Sequence, residues 1–199
     1  MSKTGMDEKE RKILTAAVEA FSQYGVKRTT MRDIAESAGV ARQTLYNFFP
    51  SKDVILRSII RLHAHETHAA VSAYLESGKP VEEGLDIVFE CIAVRPFEIL
   101  RSTPHGNEIL DGVNKAANEE LQETYRGFRK LVSNIVEKHR EQIEQQGTKL
   151  DVFGDMLVTA LVSFKKNARD REHLQQLYEA FKTPLLQMLG EKPGYGPQS

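Results

Sequence analysis

The stretch KRTTMRDIAESAGVARQTLYNFFPSK, Lys27 to Lys52, decides the fold. Thr30 is a residue type that caps the free N–H groups of a first helical turn. Asp33 stands three positions on, where an acid suits a helix N-terminus. Met31, Ile34, Ala35 and Ala38 recur at i, i+3, i+4 and i+7, a single apolar stripe. Gly39 follows where a helix end often needs a left-handed residue. A second helix is expected over about Ala41 to Phe48, with Ala41, Leu45, Phe48 and Phe49 on one side. Arg42, Gln43, Tyr46 and Asn47 fall on the other, and Thr44 lies at the boundary. Pro50 stops this helix, and Ser51 offers the next N-cap. Two short helices, a glycine turn and a polar, cationic second helix make a helix-turn-helix. In that motif the second helix enters the DNA major groove.

Three segments carry a resemblance to a known family. They are Thr29-Thr30-Met31-Arg32-Asp33-Ile34-Ala35, Ala38-Gly39-Val40, and Thr44-Leu45-Tyr46-Asn47-Phe48-Phe49-Pro50-Ser51-Lys52. Together they resemble the DNA-binding signature of TetR-family transcriptional regulators, without a gap over about residues 7 to 56. Beyond that stretch only the length and the helical pattern agree. The resemblance implies an all-α chain: an N-terminal three-helix DNA-binding bundle at residues 1–56, then a ligand-binding and dimerisation bundle at 57–190. It further implies that Tyr46, Thr30 and Arg32 meet the phosphate backbone. The last two long helices would pair with those of a second copy, and a small-molecule pocket would sit inside the C-terminal bundle.

From their own chemistry, Arg42 suits guanine O6/N7 and Gln43 suits adenine N6/N7. Thr44 can bond a phosphate or cover a thymine methyl, and Asn47 lies beside Tyr46 on the same face. Lys52, at a helix start, is expected to meet phosphate. The candidate DNA-contacting set is therefore Thr30, Arg32, Arg42, Gln43, Thr44, Tyr46, Asn47 and Lys52. Charge supports this end of the chain only mildly. Met1 to Leu56 holds nine Lys/Arg against seven Asp/Glu, while the whole chain has a net charge of −1.

The remaining pattern is helical throughout, with no strand signal and no internal repeat. Residues 1–6 read as a leader, and a helix from about Asp7 to Tyr24 follows. A long helix runs to about Glu76, another spans about Val81 to Val94, and Arg95-Pro96 breaks it. Phe97 to Arg101 is expected as a short helix, and Ile109 to Gly112 as a further turn. A long helix is expected from about Asn114 to Gln146, then two more at about 150–167 and 170–189. The Gly/Pro-rich tail at 191–199 is expected to be disordered. The last two helices are apolar over more than one face, so they need more than one partner. A homodimer through them is the expectation.

Phe89, Cys91, Phe97, His105, Tyr125 and Phe128 are the candidate ligand-pocket residues, with plain core packing as the alternative for each. In His63, His65 and His68 only the last two share a helix face. A metal would need a further ligand there, so the run reads as a solvated or hydrogen-bonded cluster. No H-E-x-x-H, Walker loop, G-x-S-x-G or Cys-x-x-Cys is present, so neither an enzyme nor a cofactor is expected. Cys91 is the one cysteine, which excludes an internal disulfide and fits a reducing cytoplasm. No apolar run approaches the roughly 20 residues of a membrane helix. The start MSKTGMDEKERK lacks the apolar core of a signal peptide. The expected partners are double-stranded operator DNA, a second copy and a small molecule. The alternative is a regulator without a ligand, acting through protein partners.

Overall fold

The computed structural model describes residues 8–191, and the leader and tail expected from sequence lie outside them, apart from Glu191. Among the described residues every regular element is helical. The elements divide into two compact units. One holds the residues up to His65 together with Ile99–Thr124; the other holds Glu66–Glu98 and the residues from Tyr125 onward.

The first unit is built from α1 (Glu8–Tyr24), α2 (Met31–Ala38), α3 (Arg42–Phe48) and the first half of α4 (Lys52–Ser77). Its local signals act as expected. The Thr30 side chain accepts the Asp33 N–H at 3.2 Å, and the Thr30 N–H donates to Asp33 Oδ2 at 2.8 Å. Both donors of a reciprocal capping box are thus satisfied. Gly39 takes φ 63° and ψ 38°, a left-handed conformation that costs a side-chain-bearing residue energy. Ser51 Oγ accepts the Val54 N–H at 3.3 Å and caps α4. Leu14, Phe21, Ile34, Leu45, Phe49 and Ile55 are buried to 2% exposure or less and form the centre of the core. Burying each such side chain contributes about 1.5–3 kcal/mol.

This unit has a further member. Helix α7 (Gly106–Ala116) packs Ile109, Val113 and Ala116 against the same core. The single turn expected at Ile109 to Gly112 is therefore an 11-residue helix.

The second unit contains the second half of α4, α5 (Val81–Phe89), most of α8 (Asn118–Ile135), α9 (Arg140–Gln145), α10 (Leu150–Asn167) and α11 (Arg171–Met188). Two expectations fail here for physical reasons. Pro96 does not break the chain's helical course. A π-helical turn, Glu90–Val94, joins α5 to α6 (Arg95–Arg101), and the Arg95 N–H donates to Glu90 O five residues back. Proline has no N–H to give, and its ring crowds the carbonyl four residues back. The wider turn changes the register just before it, and Cys91, Ile92, Ala93 and Val94 all stay buried.

The helix expected over Asn114 to Gln146 is also divided. The chain turns at Ala117 (φ −134°, ψ 25°) and again at Val136 (φ −95°, ψ 7°). Both residues are fully buried. Helix propensity differs by only about 0.7 kcal/mol among ordinary residues, so burial decides where a long helix bends.

Candidate nucleic-acid interface

Helix α3 buries Leu45 and presents the opposite face to solvent. Arg42, Gln43 and Asn47 are exposed, Thr44 is half-buried, and Tyr46 is 47% exposed with its ring on the surface. Gln43 Nε2 donates to Asn47 Oδ1 at 3.0 Å, one turn along the same face. These two amides therefore hold each other in a defined orientation and still leave donors and acceptors for base edges. Arg42 has an open approach to solvent, as a base-reading arginine requires.

At α2, the Thr30 oxygen accepts from Asp33, which leaves its O–H proton to donate outward. The Thr30 backbone N–H, and then its hydroxyl, hold the Asp33 carboxyl below its ordinary range. Arg32 Nε donates to Glu36 Oε1 at 2.7 Å, and this bond raises the guanidinium's pKa. Both side chains are more than 60% exposed. Such surface pairs are weak, so phosphate can compete for Arg32.

Lys52 is placed differently from the phosphate-contacting expectation. Its Nζ donates to Val26 O at 2.6 Å and Thr29 O at 2.8 Å, with Lys27 O at 3.4 Å. The ammonium's donors are directed to the α1–α2 turn, which fixes where α2 begins. The same turn is held from α7. The Lys27 N–H donates to Glu108 Oε1 at 2.5 Å. Gly25 has φ 80°, a conformation that favours glycine, and a Cβ there would displace the Glu108 carboxylate, whose Oε2 would lie 2.6 Å away. Thr103 Oγ1 donates to Ser22 O. Nothing in the sequence marks Glu108 for this role, because 81 residues separate it from Lys27.

The candidate pocket residues are distributed over separate places. In the second unit Phe89 and Cys91 line an open cleft of about 450 Å³, together with Asp86, Arg95, Arg171, Tyr178 and Lys182. The Phe89 and Tyr178 rings stack at 3.8 Å. Tyr178 donates to Asp86 Oδ1 at 2.8 Å. Burial, and then the Asp86 charge, push its phenol pKa far up. Burial likewise raises the Cys91 thiol, so it is not an activated nucleophile. Phe97 and Phe128 are buried. Tyr125 lies 6.4 Å from the Phe128 ring. His105 belongs to the first unit, where its Nδ1 stands 3.8 Å from Glu108 Oε2. In the histidine run, His68 Nδ1 meets Ser72 Oγ at 3.2 Å. Among the described residues no three His, Cys, Asp or Glu side chains form a metal cluster.

Residues 13–59 match the family described as bacterial regulatory proteins, tetR family. That match covers the helix-turn-helix and parts of its flanking helices, so this segment is similar to the tetR-family DNA-binding region. An uncharacterized HTH-type transcriptional regulator of Bacillus subtilis, YfiR, is 28% identical over 73% of this chain and 72% of its own length. The HTH-type transcriptional regulator RutR of Escherichia coli (strain K12) is 32% identical over 51% of this chain and 46% of its own length. The matched segment thus spans about half of RutR. A transcriptional regulator FadR from Bacillus subtilis, in complex with stearoyl-CoA, superposes with a TM-score of 0.61. The match is 18% identical and covers 87% of this chain and 96% of that one. At that identity the superposition shows a shared fold alone.

Proposed function

We propose that this chain is a homodimeric transcriptional repressor of the TetR family, released from a palindromic operator by a small-molecule ligand. The observation that carries the DNA-binding part is α3, with its buried Leu45 back and its exposed row of Arg42, Gln43, Tyr46 and Asn47. Arg42 and Gln43 read base edges in this assignment. Thr30, Arg32, Thr44 and Tyr46 meet the phosphate backbone, and Lys52 positions the motif.

The dimer is supported by α10 and α11. Val152 is 52% and Met156 43% exposed on α10. On α11 Ala180 and Pro184 are exposed and Phe181 is half-buried. Phe181 meets Phe164 edge-to-face at 5.5 Å and extends the apolar surface from one helix to the other. A second copy that covers these faces sets the distance between two α3 helices. Half-site centres are then about one helical turn of DNA, or a multiple, apart.

A ligand fits the same reading through population shift. It lowers operator affinity only by as much as it prefers the DNA-incompetent arrangement. The stearoyl-CoA complex of a protein of similar fold supports a small-molecule ligand. The test is selection from random duplex DNA by the purified full chain, followed by titration of the selected site. Arg42→Ala is expected to weaken that site by about 1–3 kcal/mol and relax preference at one position of each half-site. Failure to select any palindrome would reject the reading.

A further inference from the structure

On the exposed face of α3, Gln43 and Asn47 stand one helical turn apart, and Gln43 Nε2 donates to Asn47 Oδ1 at 3.0 Å. The two residues at the N-terminal end of this face differ in stiffness. Arg42 carries a planar fork that its own bonding pre-organises. Gln43 carries an amide on a flexible stem, and such a side chain loses rotamer freedom whenever it is fixed on a partner. The bond to Asn47 fixes it before any DNA is present, so that part of the entropy cost does not fall on binding.

The same bond also selects which groups Gln43 can offer. Asn47 Oδ1 accepts and cannot donate, so it holds the Gln43 amide with its nitrogen turned along the helix. With that N–H committed, the second Nε2 N–H and the Oε1 carbonyl remain, a donor beside an acceptor. In the major groove adenine shows the complement, the N7 acceptor beside the N6 amine donor. Guanine shows acceptors at both N7 and O6 and leaves the Gln43 carbonyl unmatched. Cytosine and thymine each show a single polar group there, so neither engages both groups of the amide.

We infer that Gln43 reads an adenine in each operator half-site, and that Asn47 is its positioning residue, acting through the Gln43 amide without meeting a base itself. Asn47 thereby sets sequence preference at a base pair that a neighbouring side chain contacts. This deepens the DNA-binding reading and rests on it, because the preference exists only where α3 enters the major groove.

The test is selection from random duplex DNA by the full chain, then anisotropy titration of the selected site with each base placed in turn at every half-site position. The wild-type chain is expected to favour adenine at one position of each half-site by about tenfold or more, the discrimination of a bidentate pair. Gln43→Ala and Asn47→Ala are each expected to reduce that preference to about threefold or less, at the same position. Preference at the position that Arg42→Ala relaxes stays as in the wild type. The double variant shows no further loss, because both changes remove one contact. Asn47→Asp keeps the acceptor for Gln43 and is expected to keep the adenine preference, while its charge weakens binding to all sequences alike. Both side chains are exposed, and circular dichroism checks the fold of each variant. A wild-type chain without the adenine preference, an Asn47→Ala loss at a different position from that of Gln43→Ala, or losses that add in the double variant would overturn the inference while the selected operator stands. Selection of no site at all rejects the DNA-binding reading and this inference with it.

Discussion

Replacing Lys165 by methionine should make the free protein more stable. The side chain's pKa falls from 10.5 to about 8 on folding, with burial as its cause. A shift of about 2.5 units corresponds to roughly 3 kcal/mol at 1.36 kcal/mol per unit, an upper bound for a side chain that water still reaches in part. The sign follows from proton counting. Between about pH 8 and 10.5 the unfolded chain holds a proton that the folded chain has released. Stability therefore rises with pH through that window, and the full penalty is present below about pH 8. Methionine keeps much of the length and apolar volume of lysine and carries no charge. At pH 7 the variant should gain up to about 3 kcal/mol, roughly 6–12 °C in Tm for a chain of this size. The gain should fade as pH approaches 10.5. The assay is thermal and urea unfolding from pH 6 to 10 without ligand, at one fixed protein concentration so that self-association cannot change the comparison. A Lys165→Met chain that is less stable at pH 7, or that keeps the wild-type rise above pH 8, would refute the reasoning.

Three other outcomes follow from named contacts. Lys52→Met removes the donor that holds three carbonyls of the α1–α2 turn. It should cost about 1–3 kcal/mol of stability, with hydrogen exchange accelerating first at Thr30 to Asp33. A loss of operator affinity with no change in exchange would restore Lys52 to the phosphate. Glu108→Ala leaves the Lys27 N–H without its acceptor and should destabilise the first unit by about 1–2 kcal/mol, with Glu108→Gln recovering part of it. Urea denaturation of both variants checks this order. Met156→Glu places a charge on the exposed apolar face of α10 and should shift sedimentation from dimer to monomer while the helical circular dichroism signal stays constant.

Several features of this chain depend on residues only a few positions apart, and these were legible from sequence. The Thr30–Asp33 capping box, the left-handed Gly39, the Ser51 cap and the two-sided α3 are all built within one or two helical turns. The energies that specify them are local, so chain order carries them. The chemistry of the exposed row on α3 is likewise written in residue type and spacing.

Tertiary structure alone decided where long-range polar groups are satisfied. Lys52 looks like a phosphate ligand from its place at a helix start. In the fold its ammonium has backbone acceptors 2.6 and 2.8 Å away, contributed by residues more than twenty positions earlier. Glu108 secures Lys27 from 81 residues away, a pairing that no local pattern contains. Ala117 and Val136 show the same limit, because burial outweighed propensity at both, and at Pro96 the π-helical turn just before it keeps the helical course. The two lysines Lys165 and Lys182 make the point most sharply. Both lie on the last two long helices, and sequence does not distinguish them. The fold surrounds Lys182 with the carboxylates of Asp86, Glu82 and Glu179 and gives Lys165 the Tyr125 ring, because a side chain's charge partners are set by which distant elements pack against it.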